Sequence, residues 1–155
     1  MFGPINKNNG FTLIETLLVI AILAVIGSVT PVLSMDQVKS DSFVDEVDKV
    51  ANLLQKTRLM AQNNIEQSKH GLIINPNMSS TYTIFKGNSY ADSVKPENID
   101  TEIDYPTLLD PSSPKEIVFE QLSGRTNNYG ELIFVDPQTG KTLKIKINYE
   151  GQISW

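Results

Sequence analysis

The sequence contains no cysteine and a single histidine, His70. Without thiols there is no disulfide framework and no thiolate metal site. With one imidazole, zinc sites and Cys–His catalysis lack their residues. A lone histidine at the end of a helical stretch reads as a helix-terminal or surface residue. No Gly-rich phosphate loop occurs, and Gly124-Arg125-Thr126 is too short to count as one. No serine stands in a nucleophile elbow. The chain therefore reads as a non-enzyme with no cofactor and no metal. Absence of cysteine does not locate it, because larger exported domains need no disulfides. Positive charge is also scarce: 13 Lys and Arg face 18 Asp and Glu, a net charge of -5. A globally acidic chain is a poor non-specific ligand for polyanions.

What is present is concentrated at the start. The run Lys7-Asn8-Asn9-Gly10-Phe11-Thr12-Leu13-Ile14-Glu15 leads from a short polar leader into an almost unbroken apolar stretch, residues 11–35. An ordinary secretory signal has its small-residue cleavage site after the apolar segment. Here Gly10 precedes it, so cleavage would leave the apolar helix on the mature chain. As a helix, the stretch would be about 37 Å long against a bilayer core of roughly 30 Å. The positive leader predicts a cytoplasmic N-terminus with the rest outside. Two features distinguish the stretch from a plain signal anchor. Glu15 puts a carboxylate where it costs several kcal/mol at mid-depth, about 2.5–3.5 on insertion scales. Gly27 and Pro31 predict a kink, since proline removes a helical donor and clashes with the preceding turn.

Gly10, Phe11, Thr12, Leu13, Ile14 and Glu15 stand where type IV prepilins and type II secretion pseudopilins have them, and the chain resembles that family. The resemblance implies cleavage between Gly10 and Phe11 by a membrane prepilin peptidase, and N-methylation of Phe11. It implies that Glu15 of one subunit pairs with the free Phe11 amine of a neighbour. It further implies assembly with other pilin subunits on an inner-membrane platform, and a helix that opens near Gly27 and Pro31. The domain boundaries are then a leader at 1–10, a transmembrane and filament-core helix at 11–35, and an extracytoplasmic domain at 36–155.

Beyond residue 35 the pattern becomes amphipathic. Phe43, Val47, Val50, Leu54 and Ala61 follow a helical period, with Asp45, Glu46, Asp48, Lys49, Asn52, Gln55 and Lys56 largely opposite. One helix over about 12–67, kinked at Pro31, is the simplest reading, with Gly71 as its stop. The period then changes to two. Residues 72–74, 81–85, 117–120, 132–135, 143–147 and 152–155 read as strands, with turns at 75–77, 136–140 and 150–151. The last three form an antiparallel meander, with Leu143, Ile145 and Ile147 inward and Lys144 and Lys146 outward. The fold class is α+β, a long N-terminal helix packed on an antiparallel sheet. The resemblance implies the same pilin-like fold, most like minor pseudopilins of the GspH/FimT type.

Residues 87–116 are irregular, with four prolines and a short strand expected within 99–105. Asp100, Glu102 and Asp104 alternate there, and on a strand they would share a face, but their spacing matches no calcium loop. The leading function is a minor pilin or pseudopilin, acting in filament initiation, capping or protein secretion. The alternative is DNA capture in a DNA-uptake pilus, through Lys144 and Lys146 with Lys141 and Arg125. Against that stand the net charge and the lack of a basic run interleaved with aromatics.

Overall fold

Leu, Ile, Val and Ala fill most positions after Thr12, and they form helix α1 (Leu13–Ser28). The computed structural model describes residues 11–28, 35–74, 81–93 and 97–155, and its two compact units part between Ser34 and Met35. The expected leader with Gly10, the kink at Pro31, helix continuity across 29–34 and the 75–77 turn lie outside the described residues. Gly27 lies within α1.

The second unit begins with helix α2 (Met35–Gln62). Its predicted apolar stripe is the core: Phe43, Val47, Val50, Leu54 and Ala61 are buried, joined by Leu53, Ala51 and Thr57. Burying one such Val or Leu side chain stabilises the fold by roughly 1.5–3 kcal/mol. The helix stops at Gln62, short of the expected 67, because Asn64 turns left-handed at φ 55°. Asparagine tolerates that geometry better than most residues. The freed carbonyl of Ala61 accepts the amides of Asn64 at 3.1 Å and Leu122 at 2.9 Å, which closes the helix end.

Among the described residues, eight strands follow: β1 (His70–Ile73), β2 (Thr81–Lys86), β3 (Ile99–Glu102), β4 (Leu108–Leu109), β5 (Glu116–Phe119), β6 (Gly130–Val135), β7 (Thr142–Ile147) and β8 (Ile153–Ser154). They form two antiparallel four-stranded sheets, ordered β3-β2-β1-β5 and β4-β6-β7-β8, where one sheet was expected. The carboxyl-terminal meander is as read: Ile145 and Ile147 are buried, Leu143 packs against the core, and Lys144 and Lys146 face out. The irregular middle supplies β3 and β4, and Tyr90 caps the outer face of the first sheet by meeting Phe85 edge-on at 5.8 Å.

Gly71 is not the helix stop. It sits inside β1 opposite Phe85, and a Cβ there would come within 2.2 Å of the Phe85 ring. Small size is what the position requires, since the ring lies across it. His70 is likewise not a surface residue but the buried first residue of β1.

Glu46 is the largest departure from the expected helix faces. It is buried, and its Oε2 accepts the Lys49 ammonium at 3.0 Å and the amides of Asp104 and Tyr105 at 3.1 Å each. The chain is thereby fastened to α2 where it passes from β3 in the first sheet to β4 in the second. Tyr105 continues the network by donating to Asp136 at 3.1 Å, and Asp136 organises the β6–β7 turn through Gln138 and Thr139. Burial opposes ionisation of Asp136, but the bonds from Thr139, Gln138 and Tyr105 outweigh it and hold the carboxyl below its usual range. Arg58 serves the other forward crossing, from β5 to β6, by donating to the carbonyls of Gly124 at 3.4 Å and Glu150 at 3.0 Å.

Two outcomes follow. A fragment beginning at Met35 is expected to unfold cooperatively on heating, whereas one beginning at Gly71, lacking Phe43, Val47, Val50 and Leu54, is expected to show no cooperative transition by calorimetry. Burial lowers the His70 pKa from 6.5, with Ser68 and Glu66 pulling it up and Lys86 pushing it further down. The unfolded chain then binds the proton more tightly, so stability falls as pH drops below about 6.5. Chemical denaturation of His70→Gln at pH 7 and pH 5 is expected to show a smaller drop than the parent.

Candidate functional site

Thr12 precedes the first helical residue of α1, and its hydroxyl accepts the Glu15 amide at 3.3 Å. The spacing Thr12-Leu13-Ile14-Glu15 is that of a capping box, in which a carboxylate in the third helical position favours the helix N-terminus. That local role for Glu15 was legible in the sequence and passed unread beside the assembly role. Glu15 is also the only ionisable side chain between residues 11 and 28.

Apart from Glu15 and Thr16, residues 13–26 of α1 are apolar, with Leu13, Ile14, Leu17, Leu18, Ile20, Leu23 and Ile26 among the exposed side chains. Such a helix belongs inside a bilayer or a helix bundle. The small side chain of Ala21 leaves a shallow apolar dent of about 270 Å³ between Leu18, Ile22, Val25 and Ile26. With 16 residues, α1 is roughly 24 Å long. Among the described residues, no helix is long and apolar enough to cross a membrane.

On the second unit, two of the basic candidates are engaged by neighbouring side chains. Lys144 is paired with Glu131 at 2.9 Å, and its hydrogen bond and charge hold the Glu131 carboxyl below its usual range. Lys146 lies two residues on, on the same outward face. Lys141 stands in the turn before β7, its amide bonded to Thr139. Arg125 is in the loop after β5, with its guanidinium 5.7 Å from the Tyr149 ring centre.

Two of the three alternating carboxylates are already engaged. Asp100 accepts the Thr83 hydroxyl at 2.5 Å, and Asp104 pairs with Lys49 at 2.5 Å. The Glu102 carbonyl accepts the same ammonium at 3.3 Å. Burial opposes the Lys49 charge, yet Asp104 and Glu46 outweigh it and raise the pKa. The ammonium thus occupies the space beside the Asp104 carboxylate. No group of three His, Asp or Glu among the described residues is placed to hold a metal.

The family profile described as the prokaryotic N-terminal methylation motif matches residues 5–30. No curated protein sequence matches the chain. Among solved structures, it is similar to the type IV minor pilin FimU of Pseudomonas aeruginosa in two crystal forms, each at 15% identity. One superposes at a TM-score of 0.52 over 74% of this chain and 88% of FimU, the other at 0.49 over 71% and 89%. The former establishes a shared α+β, pilin-like fold: an N-terminal helix on antiparallel sheets. The chain thus carries the N-terminal methylation motif at residues 5–30 and, beside it, a pilin-like fold.

Proposed function

We propose that the chain is a processed structural subunit of an envelope-spanning filament, either a type IV pilus or a type II secretion pseudopilus. The observation that carries this reading is the methylation motif at residues 5–30, joined in one chain to a separately packed unit of pilin fold. Prepilin peptidase removes residues 1–10 at Gly10, and the new Phe11 amine is methylated. Residues 11–35 anchor the chain in the cytoplasmic membrane, with 36–155 outside, and later enter the filament core. The exposed apolar faces of α1 gain from burial in either setting.

In the filament, the Glu15 carboxylate neutralises the Phe11 amine of a neighbouring subunit. Two charges hidden together in an apolar bundle cost far less than either alone. The second unit meets other pilins, and the subunit acts in filament initiation, capping or secretion. The GspH/FimT-type pseudopilins are the subclass it fits best.

In a host expressing its own assembly system, mass spectrometry of the native protein is expected to show a mature N-terminus at methylated Phe11. Glu15→Val is expected to keep cleavage and membrane insertion while filament incorporation falls at least about tenfold, since an unpaired buried amine costs several kcal/mol. An intact leader, or a fully incorporated Val variant, would sink the reading.

DNA capture ranks below assembly, because Lys144 is paired with Glu131, Arg125 stands over the Tyr149 ring, and the chain carries a net charge of -5. In a salt series with the 36–155 fragment, little DNA binding is expected at about 150 mM salt, where phosphate contacts are already weakened. Micromolar binding, lost in Lys144→Glu/Lys146→Glu, would reverse the ranking.

A further inference from the structure

A groove of about 710 Å³ lies on the second unit between α2 and the β7–β8 edge. Arg58 and Lys146 line it beside Leu59, Ile153 and Ser154, and no acidic side chain among the described residues contributes. Arg58 bonds the neutral carbonyls of Gly124 and Glu150 and no carboxylate, so its charge stays uncompensated. Lys146 is exposed and forms no ion pair among the described residues, although its charge reaches the Glu131 carboxyl. In a chain of net charge -5, the groove is a local excess of positive charge.

The same groove borders an open sheet edge. Among the described residues, β8 pairs with β7 on one side and with no strand on the other. At the turn that joins them, the Asn148 amide donates to the Gln152 carbonyl at 3.1 Å. Hydrogen-bonded pairs alternate along an antiparallel ladder, so the next pair, Ile147 with Ile153, is a non-hydrogen-bonded one. The N–H and C=O of Ile153 therefore turn away from β7, and neither meets a partner among the described residues. An unpaired donor and acceptor on a sheet edge form a template for a further extended chain. Ile153 is half-buried and Leu59 exposed, which adds apolar contact beside that template.

We infer that the groove takes an extended acidic segment of another protein, which adds to the second sheet as a short strand beside β8. Its backbone closes the two hydrogen bonds that Ile153 leaves open. The segment's residue opposite Ile153 shares that side chain's face and is apolar, packing on Ile153 and Leu59. The residues on either side of it share the face of Ser154 and Lys146 and carry carboxylates, which Lys146 and Arg58 complement in charge. The pattern recognised is therefore acidic, apolar, acidic. Duplex DNA offers the charge but no strand backbone to complete the edge. Two segments of this chain have the pattern, Glu46-Val47-Asp48 and Glu102-Ile103-Asp104. The first is held in α2; in the second, Ile103 packs against the core and Lys49 pairs with Asp104. Neither is free to extend into a neighbour's groove, so the occupant is a different protein.

The test uses the full-length chain in detergent and a fluorescein-labelled, carboxyl-amidated peptide, Ser-Asp-Val-Glu-Ser, followed by fluorescence anisotropy. Saturable binding is expected. It weakens about tenfold or more when Asn-Val-Gln replaces Asp-Val-Glu, or when the chain carries Lys146→Glu. N-methylation of the peptide valine removes the donor to the Ile153 carbonyl and is expected to weaken binding about fivefold, the equivalent of one neutral hydrogen bond. Lys146 is exposed, so the Glu variant is expected to unfold thermally as the parent does, which separates loss of binding from loss of fold. No saturable binding, equal binding of the neutral or the N-methylated peptide, or indifference to Lys146→Glu would overturn the inference. So would displacement of the peptide by duplex DNA, which would give the groove to nucleic acid, or dispersal of chain oligomers by the peptide, which would give it to a second copy. Neither leader cleavage nor filament incorporation enters the measurement, so this inference and the filament reading stand or fall separately.

Discussion

One buried carboxylate sets the terms for the second unit. Glu46 lies on the core-facing side of α2, where an unpaired charge would cost several kcal/mol. It is tolerated because two backbone amides and an ammonium converge on Oε2. Those amides belong to Asp104 and Tyr105, in the segment that leaves the first sheet for the second. The strand order β3-β2-β1-β5 beside β4-β6-β7-β8 requires the chain to cross between sheets at that point. Satisfying the charge and fixing the crossing are therefore the same event.

The return of the chain is held differently. Between β4 and β5, the Asp110 amide donates to the Ile133 carbonyl, and the Ser113 hydroxyl accepts the Ile133 amide at 2.9 Å. The final crossing is clasped by Arg58 and closed by packing so tight that a Cβ on Gly151 would lie 2.0 Å from the Gly124 carbonyl. Side chains of one helix thus attach both forward crossings, Glu46 from near its middle and Arg58 from its last turns. The apolar stripe between them packs on both sheets as a single core.

Much of this was legible and some was not. The stripe from Phe43 to Ala61 and the β6–β8 meander follow from periodicity, because helix and strand periods are imposed by backbone geometry. Glu46 was misjudged because it was sorted by residue type, although it lies three residues from Phe43, a spacing that shares a helix face. Gly71 was read as punctuation because sequence shows the missing side chain but not the Phe85 ring that needs the space. His70 and the division into two sheets depend on which strands pair across long stretches of chain, and local pattern carries no such information. At the N-terminus, the motif from Gly10 to Glu15 was plain, and the Thr12–Glu15 spacing also carried the helix cap. The basic candidates looked like a group in sequence; in space, a carboxylate and a tyrosine ring occupy two of them.

The placement of α2 also has a mechanical consequence. A pull delivered from Met35 runs along the axis of the helix that forms the core. Its stripe, the Glu46 clasp and the Arg58 clasp then bear load together, in shear, instead of parting one after another as strands peeled from a sheet edge would. Forced unfolding is governed by the unfolding barrier and not by the equilibrium stability. A unit gripped this way resists extension more than its modest size would suggest.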